Sequence, residues 1–206
     1  MNKLFIGISG NAGAGKDTLC DIFIDKFKEN NIAAVRMALA DPIKAALRDY
    51  LFNKYGIDIL NCSREDKDKV RQELVSFGKE KRRQTNGRYF TDILFKKAEE
   101  SDAEVIIISD VRYTEFLHTD EVFAIKERDG LLIHLSRYDL YDGHREYIRP
   151  ANPDEARNEP MLLAHSDFQI DWQTGEKSDL SENHQAVSVF NDILEEFLAR
   201  NPNDQK

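Results

Sequence analysis

The chain is poor in the features that would make it a secreted, membrane or nucleic-acid-binding protein. It has only two cysteines in 206 residues, Cys20 and Cys62. That is too few for a disulfide framework, so both are expected to be free thiols in a reducing cytoplasm. No apolar run approaches the roughly 18 residues that a membrane-spanning helix requires, and the first apolar stretch is too short for the core of a signal peptide. A membrane partner is therefore not expected, and the location read from this pattern is cytoplasmic. Excess positive charge is also lacking. Lysine and arginine number 29 against 38 acidic residues, a net charge of -9. This disfavours a surface built to hold a nucleic-acid backbone, yet leaves room for a local basic pocket around a small anion. No repeat of fixed period and no low-complexity tract occurs.

The remaining composition, 41% hydrophobic and 33% charged, suits one globular domain spanning 1–206 with a proper core. Five short apolar runs stand out: Leu4–Ser9, Ala33–Ala38, Val105–Ser109, Leu131–Ser136 and Phe168–Trp172. The first three are apolar through most of their length, as strands of a parallel sheet covered on both faces should be. Helical spacing lies between them. Leu19, Ile22, Phe23 and Phe27 follow a glycine loop, and Ile43, Ala46, Leu47 and Leu51 follow a capping Asp41-Pro42. Val70, Leu74 and Phe77 predict a third helix ending near Gly78, and 89–98 a fourth. Val187, Phe190, Ile193, Leu194, Phe197 and Leu198 mark a last one. Alternating strands and helices make an α/β three-layer domain. The segment Arg137–Pro160 shows no sustained period, holds Pro150 and Pro153, and is expected to be irregular and functional. The tail from Asn201 is expected to fray.

The stretch Gly10-Asn11-Ala12-Gly13-Ala14-Gly15-Lys16-Asp17-Thr18 meets the Gly-x-x-x-x-Gly-Lys template between a strand and a helix. Its glycines allow successive N–H groups to turn inward onto phosphate oxygens. The following helix start adds partial positive charge, and Lys16 reaches the outer phosphates of a nucleotide. Asp17 stands where many nucleotide hydrolases place a metal-binding hydroxyl. Thr18, one position on, is the better candidate for a phosphate or Mg²⁺-water contact. Asp17 is left open between a helix-start role and a metal or substrate contact.

Asp110 ends the apolar run VIIISD, so it belongs at the carboxyl edge of the sheet where ligands of open α/β folds bind. A carboxylate there orients Mg²⁺ water or a substrate hydroxyl, and Arg112 supplies a forked donor for phosphate. Alternatively, Asp110 caps the next helix and Arg112 pairs with Glu115. Lys44 sits in a first helical turn, where a cation is unfavourable unless an anion is near. Arg71 and Arg88 are weaker substrate contacts, and Lys79–Arg83 reads as a solvated basic turn. Arg137 leaves a strand on the ligand edge, and with Arg145, Arg149 and Arg157 makes 137–160 a lid-like segment suited to phosphoryl transfer.

The pieces SGNAGAGKDT, LADPIK, VRQELVSFG…GRYF and IISDVRYTEF, in that order, resemble the phage-type deoxynucleoside monophosphate kinases, within the wider nucleoside monophosphate kinase group of P-loop proteins. The resemblance runs in patches over most of the chain. It implies a P-loop kinase fold with a five-stranded parallel sheet, helices on both faces, an acceptor-binding helical region at 41–100 and a lid. It implies transfer of the γ-phosphate of ATP to a (deoxy)nucleoside monophosphate with Mg²⁺, giving the diphosphate. Carried over, Gly10–Thr18 and Arg137 would hold ATP, while Asp41, Lys44, Arg71, Arg88, Asp110 and Arg112 would face the acceptor. Lys16, Asp110 and Arg112 would be catalytic, with Thr18 and Asp110 near the metal. Other acceptors keep the same chemistry: dephospho-coenzyme A, phosphomevalonate or the hydroxyl of a modified DNA base. A non-catalytic ATP-binding module is the reading from another class. Monomer and homodimer would look alike here, and a homodimer is the expectation carried forward.

Overall fold

The computed structural model describes residues 3–114, 116, 120–174 and 180–202. In chain order the elements are β1 (Leu4–Ser9), α1 (Lys16–Glu29), β2 (Ala34–Met37), α2 (Asp41–Tyr55), α3 (Arg64–Lys69), α4 (Arg71–Gln84) and α5 (Arg88–Glu99). Then follow β3 (Val105–Val111), α6 (Glu121–Lys126), β4 (Leu131–Tyr141), β5 (His144–Tyr147), α7 (Pro153–Ala164), β6 (Phe168–Gln173) and α8 (His184–Arg200). All five apolar runs are strands, and they pair in parallel in the order β2-β3-β1-β4-β6. Ile6 lies between Ile107 and Leu131 across the sheet. The expected α/β three-layer fold is therefore present.

The sheet is covered on both faces because its strands alternate two apolar sets. Leu4, Ile6, Ile8, Ile107, Ile133 and Ile170 pack with Phe23 and Phe27 of α1 and Phe190, Ile193 and Phe197 of α8. Phe5, Ile106, Ile108 and Leu132 face Phe90, Leu94 and Phe95 of α5 and Val122 and Ile125 of α6. A small separate core of Leu51, Ile57, Ile59 and Val70 holds the helices after β2 together. The five parallel strands end at one edge, where the elements that follow β1, β2, β3 and β4 meet, and β5 adds a sixth, antiparallel strand to the expected five-stranded sheet.

Three departures from the sequence reading bear on that edge. First, α4 does not stop at Gly78. A Cβ on Gly78 would lie 3.2 Å from the Ile43 Cδ1, so the glycine serves the close approach of α2 and α4 within a continuous helix. Second, Lys79–Arg83 is the last part of this helix instead of a solvated turn, because Arg82 is drawn into the interior. Third, the segment after Arg137 is regular. β4 runs on to Tyr141, turns through Asp142 and Gly143 at φ 48° and 80°, and returns as β5. Both residues have the positive φ of a type I′ hairpin turn, for which Asp-Gly is a preferred pair. Asn152 then caps α7, accepting from the Glu155 N–H, and Pro153 occupies its first turn. The short α3, capped by Ser63, had no apolar stripe to announce it. Within the tail, Asn201 is buried and its N–H bonds the Phe197 carbonyl, while 203–206 lie outside the described residues. Among the described residues no helix is long and apolar enough to cross a membrane.

The tightest point of the edge is Gly10, with φ 139°. A Cβ there would stand 2.2 Å from the carbonyl oxygen of Leu135 on β4. Gly10→Ala is expected to lower stability by at least about 1–3 kcal/mol, the scale of one strained backbone residue. A melting temperature equal to that of the parent would contradict this packing.

Candidate active site

The loop between β1 and α1 wraps into a cradle. Gly13 and Gly15 have φ of 84° and 93°, and the Ala14 N–H closes the turn on the Asn11 carbonyl at 3.1 Å. Lys16 Nζ donates back to the carbonyls of Gly10 (2.7 Å) and Asn11 (2.9 Å), so its ammonium sits at the mouth of the loop. Burial, and then the Arg112 guanidinium, lower its pKa to about 8, against the opposing pull of Glu155, Asp17 and Asp110. Trp172 on β6 braces the cradle from behind. Its indole N–H donates to the Ala14 carbonyl at 2.7 Å, and its ring lies where a Cβ on Gly15 would come within 2.7 Å. Arg137 lies over that ring at 4.9 Å and donates to the Gly13 carbonyl at 3.2 Å. The structure thus brings Arg137 to the cradle, as expected. Trp172 was passed over because a lone aromatic at a strand end reads as core.

Asp17 lies in the first turn of α1, where its carboxylate pairs with Arg36 of β2 at 2.7 Å and is 70% exposed. Arg36 is held in turn by the Ser109 hydroxyl at 3.0 Å. Thr18 in the same first turn is exposed, and its hydroxyl makes no hydrogen bond among the described residues.

On the β2–β3 side lies a cleft of about 170 Å³. Its apolar wall includes Leu39, Ile43, Leu74, Val75 and Phe90, and its cations are Lys44, Lys67, Arg71, Lys79, Arg82 and Arg112. Most of these are partly neutralised: Lys44 by Asp41 at 2.9 Å, Lys79 by Asp154 at 2.7 Å and Arg71 by Asp68. Arg112 is exposed and has no ion pair among the described residues; Glu115, its expected partner, lies outside them. Arg112 lines the cleft and also acts electrostatically on Lys16 of the cradle. Asp110 does not cap the helix that follows it, which Asp120 caps; it reaches back to an earlier loop. Its two oxygens accept from the Leu39 N–H (2.7 Å) and the Ala40 N–H (2.9 Å), tying the end of β3 to the start of α2. Burial pushes its carboxyl up, opposed by those two bonds and by Arg112. Two expected contacts are not brought to the cleft. Arg88 turns to Glu127 at 3.7 Å, and Asp41 is taken by Lys44 without lining the cleft. Lys67, Lys79 and Arg82 were missed, since a basic residue on a polar helix face carries no sign of what it faces.

One face of α7 spans both halves. Glu155 accepts from the Ala12 N–H of the cradle at 3.3 Å, and Glu159 from the Asn11 amide at 2.6 Å. Asn158 accepts from the Thr114 N–H at 2.9 Å, and Asp154 binds Lys79. Beneath α7 a second cavity of about 300 Å³ is lined by Asn11, His134, Ser136, Tyr147, Gln169 and Asp171, among others. His134 bonds Ser9 there and is held down to about 4, first by burial and then by Lys16.

The model of the phosphomevalonate kinase family matches residues 8–122, more than half the chain. Among solved structures the chain is similar to shikimate kinase from Acinetobacter baumannii in complex with shikimate, at 14% identity over 99% of this chain and 96% of that one, with a TM-score of 0.45. It is also similar to the APS kinase CysC of Mycobacterium tuberculosis in complex with AMPPNP and APS, at 16% identity over 94% and 98%, with a TM-score of 0.41. A search of curated proteins returned no match.

The lowered Lys16 titration sets a pH dependence. A bound polyphosphate favours the ammonium, so ATP affinity should be level below about 8 and fall as pH rises above it. Calorimetry in buffers of different ionisation heat should show proton uptake on binding at and above that pH. Affinity unchanged between pH 7 and 9 would contradict the assignment.

Proposed function

The chain belongs to the phosphomevalonate kinase family, and from its site we propose that it transfers the γ-phosphate of ATP to the phosphate of a small phosphomonoester, giving ADP and a diphosphate. The observation that carries this reading is Arg112, which lines the basic cleft, acts electrostatically on Lys16 of the cradle and has no ion pair among the described residues. The residues support a donor side of Gly10–Gly15, Lys16, Thr18 and Arg137, and an acceptor side of Lys44, Lys67, Arg71 and Arg112. In the transfer an acceptor phosphate oxygen bonds to the γ-phosphorus as the bond to the β,γ-bridging oxygen breaks. Lys16 and Arg112 stabilise the charge spread over the moving group.

Among the described residues, the hydrogen bonds already made by the cleft's carboxylates favour one class of acceptor. A hydroxyl acceptor must lose a proton, but the cleft's carboxylates, Asp110 and Glu121, both accept from N–H donors of the protein. A phosphomonoester, with its second pKa near 6, arrives largely deprotonated and needs no base. This favours phosphate acceptors over shikimate-like alcohols, the 3′-hydroxyl of dephospho-coenzyme A or a modified DNA base. Among phosphate acceptors a (deoxy)nucleoside monophosphate is the reading we favour, because the apolar wall of Ile43, Leu74, Val75 and Phe90 offers a base a dry surface. Phosphomevalonate is the second reading, favoured by the family match over 8–122.

Mg²⁺ fits such a site as a passenger on the nucleotide. Among the described residues no cluster of three metal-ligating side chains occurs, and Mg²⁺ commonly binds through phosphates and water with one or two protein groups. The free Thr18 hydroxyl would hold it, with Asp110 reaching it only through water. Bound there, it supplies neutralisation of the phosphate charge.

A coupled ADP-release assay tests the proposal. The panel comprises nucleoside monophosphates, phosphomevalonate, dephospho-coenzyme A and single- and double-stranded DNA. ADP should appear only with a phosphomonoester acceptor. Lys16→Ala should abolish transfer in a folded protein, and Arg112→Ala should slow it by about 10²-fold or more. ADP release with a hydroxyl acceptor, or with none, would sink the reading.

A further inference from the structure

At the wall of the cleft, where Arg82 and Glu121 line it, lies a buried charge cluster that the transfer chemistry does not use. Arg82 of α4 is 5% exposed, Asp120 is 0% and Glu121 is 5%. Arg82 Nη2 reaches Asp120 at 2.8 Å and Nη1 reaches Glu121 Oε1 at 2.8 Å, while its guanidinium stacks 3.6 Å from the Tyr113 ring centroid. Asp120 has a structural duty of its own, accepting from the first N–H of α6 at 2.9 Å. Glu121 has a different one. Its second oxygen, Oε2, accepts from the backbone N–H of Arg112 at 2.6 Å and of Tyr113 at 3.0 Å.

One carboxylate therefore joins two pieces of the site. Through Oε1 it holds α4, whose Arg71, Leu74, Val75 and Lys79 form a wall of the cleft. Through Oε2 it holds the peptide that carries Arg112. No other side chain among the described residues is shown bonded to the Arg112 N–H. We infer that Glu121 is a positioning residue for Arg112, and that Arg82 through it sets the distance between the acceptor wall and that guanidinium. The inference rests on the transfer reading above. A buried carboxyl with three N–H donors on its two oxygens is a rigid anchor; burial pushes its pKa up to about 8, and Arg82 and the Arg112 N–H oppose that shift by favouring the charged form. An exposed arginine has no such constraint of its own, and stabilisation of a moving phosphoryl group demands close placement. A misplacement of about 1 Å can cost about 10²-fold in rate.

The test uses Glu121→Asp, which keeps the buried charge beside Arg82 but draws the carboxylate back from the two N–H groups, and Glu121→Gln. In either folded variant kcat should fall about tenfold or more while KM for ATP stays within about twofold. In an Arg112→Ala background the same substitution should add no further loss. A kcat equal to that of the parent, or an equal loss in both backgrounds, would overturn the inference. If neither variant folds, native-state hydrogen exchange on the parent decides: the Arg112 and Tyr113 amides should exchange as slowly as core amides, and fast exchange would refute the anchor. If the parent transfers phosphate to no acceptor, the functional reading falls separately. Calorimetry with inorganic pyrophosphate then reads the positioning alone, and Glu121→Asp should weaken binding by the same factor as Arg112→Ala. Unchanged binding in Glu121→Asp would overturn it.

Discussion

The site depends on two cations, Lys16 and Arg112, held close together without carboxylates to neutralise them fully. A protein with a net charge of -9 has ample acidic residues to pair them. Instead, several carboxylates around them are committed elsewhere: Asp110 to two N–H groups, Asp17 to Arg36, Glu121 to Arg82 and a backbone turn, and Glu155, which pulls most on Lys16, to the Ala12 and Ala151 N–H groups. The cost is visible in the lowered pKa of Lys16, where burial and Arg112 work in the same direction. Such a pair is relieved by a bound anion, and in the proposed reaction that anion is the phosphoryl group in transfer, its charge spread over three oxygens.

The sheet supplies the geometry that keeps this arrangement. Gly10 lets the cradle lie on the backbone of β4, Trp172 presses it from β6, and Asp110 ties the end of β3 to α2. Donor and acceptor elements thus all hang from the carboxyl edge of one parallel sheet, as ligand sites of open α/β folds do. α7 then bridges them with Asp154, Glu155, Asn158 and Glu159 on one face. Glu155 on a cradle N–H also places negative charge where phosphates would bind, so this helix and a nucleotide compete for the same donors.

Much of this was legible in the residues themselves. The strands announced themselves because buried parallel strands are apolar end to end, and the cradle because its glycines and lysine have few other uses. Asp110 and Arg112 were found because a strand end fixes their place. What stayed hidden depended on tertiary partners. Arg82 looked like one more solvated charge in Lys79–Arg83, since nothing local records that Asp120 and Glu121 wait for it. Arg88 and Asp41 were carried to the acceptor side by the family resemblance, yet neither lines the cleft: Arg88 pairs with Glu127 and Asp41 with Lys44. The hairpin after Arg137 is a different kind of miss: Asp142-Gly143 is a strong turn signal, but the flanking strands are polar and exposed and gave no alternation to support it.

The direct measurement of the central claim is the titration of Lys16 by carbon NMR on labelled lysine. In the free protein it should titrate near 8 instead of the ordinary 10.5, and both Arg112→Ala and added ATP should move it upward. A Lys16 that titrates at the ordinary value in every state, indifferent to Arg112 and to ATP, would contradict the account.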